Sequence, residues 1–98
     1  MKLIHIGIAG TLESCDAQIT IEPYDKGELS VDITSPVVNQ YGRQIRETVI
    51  ATLQKLEVNS AKVTVVDRGA LDCTLRARVE AAVFRACDQS TDIPWQVL

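Results

Sequence analysis

Apolar side chains fall at every second position in two stretches of the chain and at every third or fourth position in two others. Ala17, Ile19 and Ile21 alternate with Gln18, Thr20 and Glu22; Leu29, Val31 and Ile33 alternate with Ser30, Asp32 and Thr34. A period of two with one apolar face is the pattern of a half-buried strand. Pro23 closes the first run and Tyr24 to Gly27 supplies a short turn, so the two strands are expected to pair as an antiparallel hairpin. Ser35 and Pro36 then open a helix: a serine hydroxyl caps free amides, and proline at the first helical position gives up no hydrogen bond. Val38, Tyr41, Ile45, Val49, Leu53 and Leu56 line one side of this helix, which ends near Val58–Asn59. A valine-rich strand follows over Lys62–Val66, and Asp67 to Gly69 turns the chain. A second helix is expected from Ala70 to Cys87. Its stripe is Leu71, Leu75, Val79, Ala82, Val83 and Ala86, and Asp72–Arg76 and Arg76–Glu80 form oppositely charged i,i+4 pairs.

The order strand, strand, helix, strand, helix makes the first helix a crossover, so strands two and three should be parallel with a right-handed connection. Each strand has one apolar face, and two helices cover it. The fold class is therefore α+β, a two-layer open-faced sandwich with a three-stranded mixed sheet and both helices on one face. Gln18, Thr20, Glu22, Ser30 and Asp32 are left on the open face for water or a partner. Residues 7–16 mix Gly, Thr, Ser and Asp with apolar residues and read as a loop or irregular arm. The whole, residues 1–98, reads as one domain: an arm over 1–16, a core over 17–88 and a tail over 89–98, with Trp95 tucked against the body.

Composition narrows the function. With 98 residues there is room for one core and no deep, water-excluding cavity. Aromatic residues are only 4%, so that core is aliphatic. No stretch approaches the roughly 20 apolar residues that span a bilayer, so no membrane association is expected. Met1 to Gly10 is interrupted by His5 and Gly7 and lacks a small-residue cleavage site, so no secretory leader is expected either. The net charge is −3, and residues 1–35 alone carry −4. That balance argues against a nucleic-acid partner, since phosphates require basic contacts. The acidic first third reads first as a solvated strand face. Cys15, Cys73 and Cys87 are odd in number and lack metal-ligand spacing, so free thiols in a reducing cytoplasm are expected, and no metal site.

Candidate chemistry is sparse. His5 is the only imidazole and sits in an apolar run, where a structural role is expected. Cys73 and Cys87 fall within the second helix as small core or boundary residues. The carboxylate pairs Glu13/Asp16 and Asp67/Asp72 fall on loops or helix ends, where such groups cap or solvate. No phosphate-cradling glycine loop is present, so no catalytic residue is assigned. Ser14 remains, in Gly10-Thr-Leu-Glu-Ser-Cys-Asp16. No base lies within sequence reach of it, so it is not an activated nucleophile, but it offers a hydroxyl that another enzyme can modify.

Three segments carry a resemblance to a known family. They are Ala9-Gly-Thr-Leu-Glu-Ser-Cys-Asp16, the helix-opening stretch from Ser35 to Ile45, and Asp67-Arg-Gly-Ala-Leu-Asp-Cys-Thr-Leu-Arg-Ala-Arg-Val-Glu80. Together, and in spacing, they resemble the acyl carrier subunit, or gamma chain, of citrate lyase over nearly the whole length. The resemblance implies a non-catalytic carrier. Its cofactor would be a phosphoribosyl-dephospho-CoA group ending in a thiol, joined covalently to Ser14 by a phosphodiester. It implies three partners: a prosthetic-group transferase that attaches the arm, and the transferase (alpha) and lyase (beta) subunits. Acetyl and citryl thioesters would shuttle between those two subunits while citrate is cleaved to acetate and oxaloacetate. Apart from the resemblance, the acids flanking the serine, Glu13 and Asp16, offer themselves as recognition groups for the modifying enzyme, a hypothesis of the loop's charge alone. Where the family often has Gly after the serine, this chain has Cys15, which sets a second thiol beside the tether.

Three other readings remain open at this point. The carrier subunit of malonate decarboxylase uses the same arm, although the Asp67–Glu80 segment favours citrate lyase. An unmodified interaction module would use the open sheet face. A small cysteine-dependent enzyme would need an activated thiolate.

Overall fold

The computed structural model describes residues 3–35 and 38–87. Six elements follow one another: β1 (Gly7–Ala9), β2 (Ala17–Glu22), β3 (Leu29–Thr34), α1 (Val38–Lys55), β4 (Ala61–Asp67) and α2 (Asp72–Ala86). The four strands form one sheet in the order β1-β2-β4-β3. The expected α+β class, with an open sheet and two helices, is present. The tail over 89–98, Trp95, and the Pro36 opening of α1 fall outside the described residues.

Two details of the sheet correct the sequence reading. The sheet has four strands, not three, because Gly7–Ala9 pairs antiparallel with β2 (Gly7 opposite Ile21, Ala9 opposite Ile19). Only residues 10–16 of the supposed irregular stretch are loop. Glycine is a poor strand former, and its presence here has a packing cause. A Cβ on Gly7 would overlap the Ala82 carbonyl oxygen and come within 2.6 Å of the Ala86 amide, so α2 lies directly on the strand backbone. The second correction concerns the hairpin. β2 and β3 do not pair; β4 lies between them, antiparallel to β2 (Ala17 opposite Asp67) and parallel to β3 (Leu29 opposite Ala61). Strands lie about 4.8 Å apart, so stepping over one neighbour covers about 10 Å, which the six residues 23–28 span easily. The central place goes to the valine-rich strand, where Val63 and Val65 are fully buried. The β3-α1-β4 unit keeps its expected parallel pairing.

The apolar faces of the strands meet both helices. Ile19, Ile21, Val31, Val63 and Val65 pack with Ile45, Val49 and Leu53 of α1 and with Leu75, Val79 and Val83 of α2. α2 is buried more widely than its stripe suggested: Glu80 and Phe84 are buried too. It faces α1 on one side and β1 and β2 on the other. The amides of Ile4 and His5 donate to the Ala86 carbonyl, so the segment before β1 is also tied to its end. α1 ends as Glu57 adopts φ +60 while the Val58 amide donates to Leu53 O and the Glu57 amide to Gln54 O, a Schellman closure. The Asp72–Arg76 and Arg76–Glu80 pairs do not close among the described residues; Asp72 accepts instead from Gln44 Nε2 at 3.4 Å. No helix is long and apolar enough to cross a membrane among the described residues.

Glu80 carries the buried polar atom without a partner, Oε2. Burial raises its carboxyl pKa, and the charges of Lys55 and Arg76 offset part of that rise. A carboxyl whose folded-state pKa is raised destabilises the fold once pH climbs above its unfolded value, because charging it in the folded state is harder. Glu80→Gln should therefore raise the melting midpoint at pH 7. The gain should shrink to nothing near pH 4, where the unfolded glutamate is itself largely protonated. Thermal melts of the two chains across that pH range check both the sign and its disappearance.

Candidate functional site

The loop joining β1 to β2, residues 10–16, is held by its own carboxylate and by the far end of β4. Gly10 enters it at φ +91, and a Cβ there would overlap the carbonyl of Ala17, so only glycine fits. Asp16 then gathers the loop. Its Oδ2 accepts from the Thr11 amide (3.2 Å) and the Thr11 hydroxyl (2.7 Å), and its Oδ1 accepts from the Ala17 amide (2.7 Å). The Glu13 amide donates to Thr11 Oγ1 at 3.2 Å. From α2, Arg78 reaches the same carboxylate with two prongs, Nε to Oδ1 at 2.9 Å and Nη2 to Oδ2 at 3.0 Å. These bonds, led by Arg78 and then Thr11, hold the Asp16 carboxyl well below the usual carboxylate range and outweigh the opposing effect of burial.

The backbone adds a second fastening. The Asp16 amide donates to Glu13 O at 3.2 Å, which closes a four-residue turn with Ser14 and Cys15 at its centre. Cys15 has φ +65 and Ser14 has no positive φ, the pattern of a type II turn. The Cys15 amide donates to Arg68 O at 2.8 Å while the Arg68 amide donates to Asp16 O at 2.9 Å. Two residues of one strand thus oppose one residue of the other. With the first in the left-handed region, this is a G1-type β-bulge, which re-aims the chain just beyond the regular Ala17–Asp67 pair. The left-handed position favours glycine, so Cys15 holds its Cβ there under strain.

Ser14 sits at the second position of this turn, exposed, and its hydroxyl has no hydrogen-bond partner among the described residues. Glu13 beside it is exposed too. Asp16 is not: its carboxylate is turned inward, so it fastens the loop rather than presenting a charge to a modifying enzyme. His5 Nε2 donates to the Arg85 carbonyl at 2.7 Å, a structural contact. Cys15 and Cys73 are exposed and Cys87 is half-buried, so Cys73 is not the core or boundary residue expected of it. Burial pushes the Cys87 thiol up, away from thiolate. Asp67 is buried and works as a bracket: Oδ2 accepts from the Ser35 hydroxyl (2.9 Å) and Oδ1 from the Ala70 amide (3.0 Å). Arg78 and Arg68, which fasten the loop, were not singled out from sequence. Both lie in the Asp67–Glu80 segment, but their partner is 62 positions away for Arg78, and no local pattern shows that. The arrangement presents one free hydroxyl on a fixed turn, with no group among the described residues placed to activate it, so it suits attachment by another enzyme.

Comparison with known proteins adds four findings. Residues 5–86 match the family described as "ACP: Malonate decarboxylase delta subunit (MdcD)". The citrate lyase acyl carrier protein of Vibrio cholerae is 49% identical over 98 residues, covering 100% of this chain and 99% of that one. The citrate lyase acyl carrier protein of Fusobacterium nucleatum is 52% identical over 90 residues, covering 92% and 96%. Among solved structures, a chain of a Pseudomonas malonate decarboxylase hetero-tetramer in complex with malonate superposes with a TM-score of 0.68 over 84% of each chain. At 19% identity, that likeness concerns the fold alone.

Two outcomes follow from the geometry of the loop. Cys15→Gly should stabilise the fold by about 0.5–1 kcal/mol, because relief of the left-handed strain exceeds the backbone entropy of glycine; urea unfolding measures it. Asp16→Asn should cost about 2 kcal/mol near neutral pH, through weakening of charge-assisted bonds. A depressed folded-state pKa stabilises above the unfolded value of about 3.9 and loses that contribution as pH falls below it. The stability of the parent chain should therefore fall more steeply than that of Asp16→Asn below pH 4, and the gap between them should narrow.

Proposed function

Because this chain belongs to the family of citrate lyase acyl carrier proteins, we propose that it is the carrier subunit of a citrate lyase and that Ser14 is its attachment residue. The group attached is phosphoribosyl-dephospho-CoA, held by a phosphodiester. The observation that carries this reading is the exposed, unbonded Ser14 hydroxyl on a turn fastened from three sides. In attachment, Ser14 Oγ forms the new P–O bond with an activated phosphoribosyl donor. Its proton passes to a base of the modifying enzyme, and the phosphorus loses the donor's leaving group. When bound, the group supplies a thiol at the end of a long arm, which takes acyl groups between the transferase and lyase subunits.

The chain's own part is mechanical. It holds the anchor still while leaving the arm free, so that the arm's end is presented to partner sites at an effective concentration on the order of millimolar. Asp16, Arg78 and Arg68 fix the turn, and Gly10 lets the chain enter it. The coenzyme brings the reactive atom and the protein brings its position. The full-length relatives named for citrate lyase favour this reading over the malonate decarboxylase carrier.

Intact mass of the protein purified from a cell that carries its partner subunits tests the assignment. The parent chain should show the added mass of one phosphoribosyl-dephospho-CoA group, and Ser14→Ala should show none. An unmodified parent chain, or a Ser14→Ala chain that keeps the added mass, overturns it. Co-purification with a citrate-specific rather than a malonate-specific transferase separates the two lyase classes.

A further inference from the structure

Arg68 occupies a place in the bulge that its backbone bonds alone do not explain. Its amide and carbonyl are locked to Asp16 and Cys15, so the residue is fixed against the Ser14 turn. Its side chain is exposed, and its guanidinium has no hydrogen bond or ion pair among the described residues. Four of the other five arginines are engaged: Arg78 with Asp16, Arg85 with the Ile8 carbonyl, Arg46 with the Val31 carbonyl, Arg43 with Glu47; the fifth, Arg76, is exposed beside α1. The carbonyl carbon of Ser14 is bonded to the Cys15 nitrogen, which lies 2.8 Å from Arg68 O, so the two backbones are within about 4 Å of each other. That is a separation an arginine side chain readily covers. Gly69, next in the chain at φ +90, has no heavy atom within 4 Å of where a Cβ would stand, so the space beside Arg68 is open.

The charge balance points the same way. The first 35 residues carry a net −4, and Glu13 is an exposed carboxylate in the turn itself. An anion attached at Ser14 meets the Glu13 carboxylate beside it, and Asp16 is already neutralised by Arg78. The bulge brings a cation from the far part of the chain to that spot.

We propose that Arg68 binds the phosphodiester joined to Ser14, as a second, non-covalent hold on the same group. The inference rests on the reading of Ser14 as the attachment residue. The ligand class is a phosphodiester monoanion, and the planar guanidinium fork matches two of its oxygens. Arg68 is a positioning residue: it fixes the direction in which the arm leaves the loop and has no part in the chemistry at the thiol.

Phosphorus NMR of the modified full-length protein tests the pairing. At low salt, the resonance of the Ser14 phosphodiester in Arg68→Gln should be displaced from that of the parent, with Arg68→Lys between them and Arg76→Gln, an exposed helix arginine, unchanged. Toward about 1 M salt, where surface charges are screened, the parent signal should move to that of Arg68→Gln. A measurement that leaves Arg68 in place guards against an Arg68 variant that escapes modification: the Arg68 side-chain Nε–H resonance should shift between the modified chain and its unmodified Ser14→Ala form. A phosphodiester signal that ignores both Arg68→Gln and salt, or an Arg68 Nε–H that ignores attachment, overturns the pairing and leaves the attachment standing. A parent chain with no phosphodiester overturns both.

Discussion

The two-pronged pairing of Arg78 with Asp16 is the contact on which the rest of the site depends. Folding removes the Asp16 carboxylate from most of its water, which is costly for a charge without a partner. Arg78 supplies that partner from α2, and both carboxylate oxygens are then free to order the loop through Thr11 and Ala17. One ion pair thereby links the helix layer to the loop that carries Ser14. The loop holds its shape through α2 and β4 rather than through its own composition, which is rich in residues that suit many turns.

A carrier places opposite demands on its two ends. The arm must move widely, so its anchor has to be fixed if the arm's reach is to be defined. With Ser14 as the proposed anchor, the β-bulge meets that demand by hydrogen-bonding the Cys15 amide and the Asp16 carbonyl, just after it, to Arg68 at the end of a central strand. The arrangement carries strain at Cys15, a non-glycine residue in the left-handed region, and strain of this kind persists where surrounding bonds over-determine the backbone. Here the over-determination is visible: the Cys15 amide, the Asp16 amide and the Asp16 carboxylate are all bonded.

The sheet serves the same end. β4 is central, parallel to β3 on one side and antiparallel to β2 on the other, so its last residues belong to the most thoroughly paired part of the fold. Asp67 at its end holds Ser35 and the Ala70 amide, and Arg68, the next residue, holds the bulge. Had β2 and β3 formed the hairpin their short connection suggested, β3 and not β4 would lie beside β2, and Arg68 would be removed from the Ser14 turn. Insertion of β4 is what places the turn beside Arg68.

The sequence by itself determined the types of five of the six elements, the one-sided burial of those strands and most of the core. Periods of two and of three to four are written locally, in neighbours such as Ile19 and Ile21 or Val49 and Leu53. Ser14 is put forward through a resemblance carried by three segments, since its own chemistry, a hydroxyl between acids, says little. The tertiary structure alone decided which strands are neighbours, that Gly7 is a strand residue pressed by α2, and that Asp16 faces inward to Arg78 while Arg68 is set beside Ser14. These are choices among partners far apart in the chain. They follow from which arrangement buries the valine-rich strand and satisfies a desolvated carboxylate, a comparison that exists only once the chain has folded.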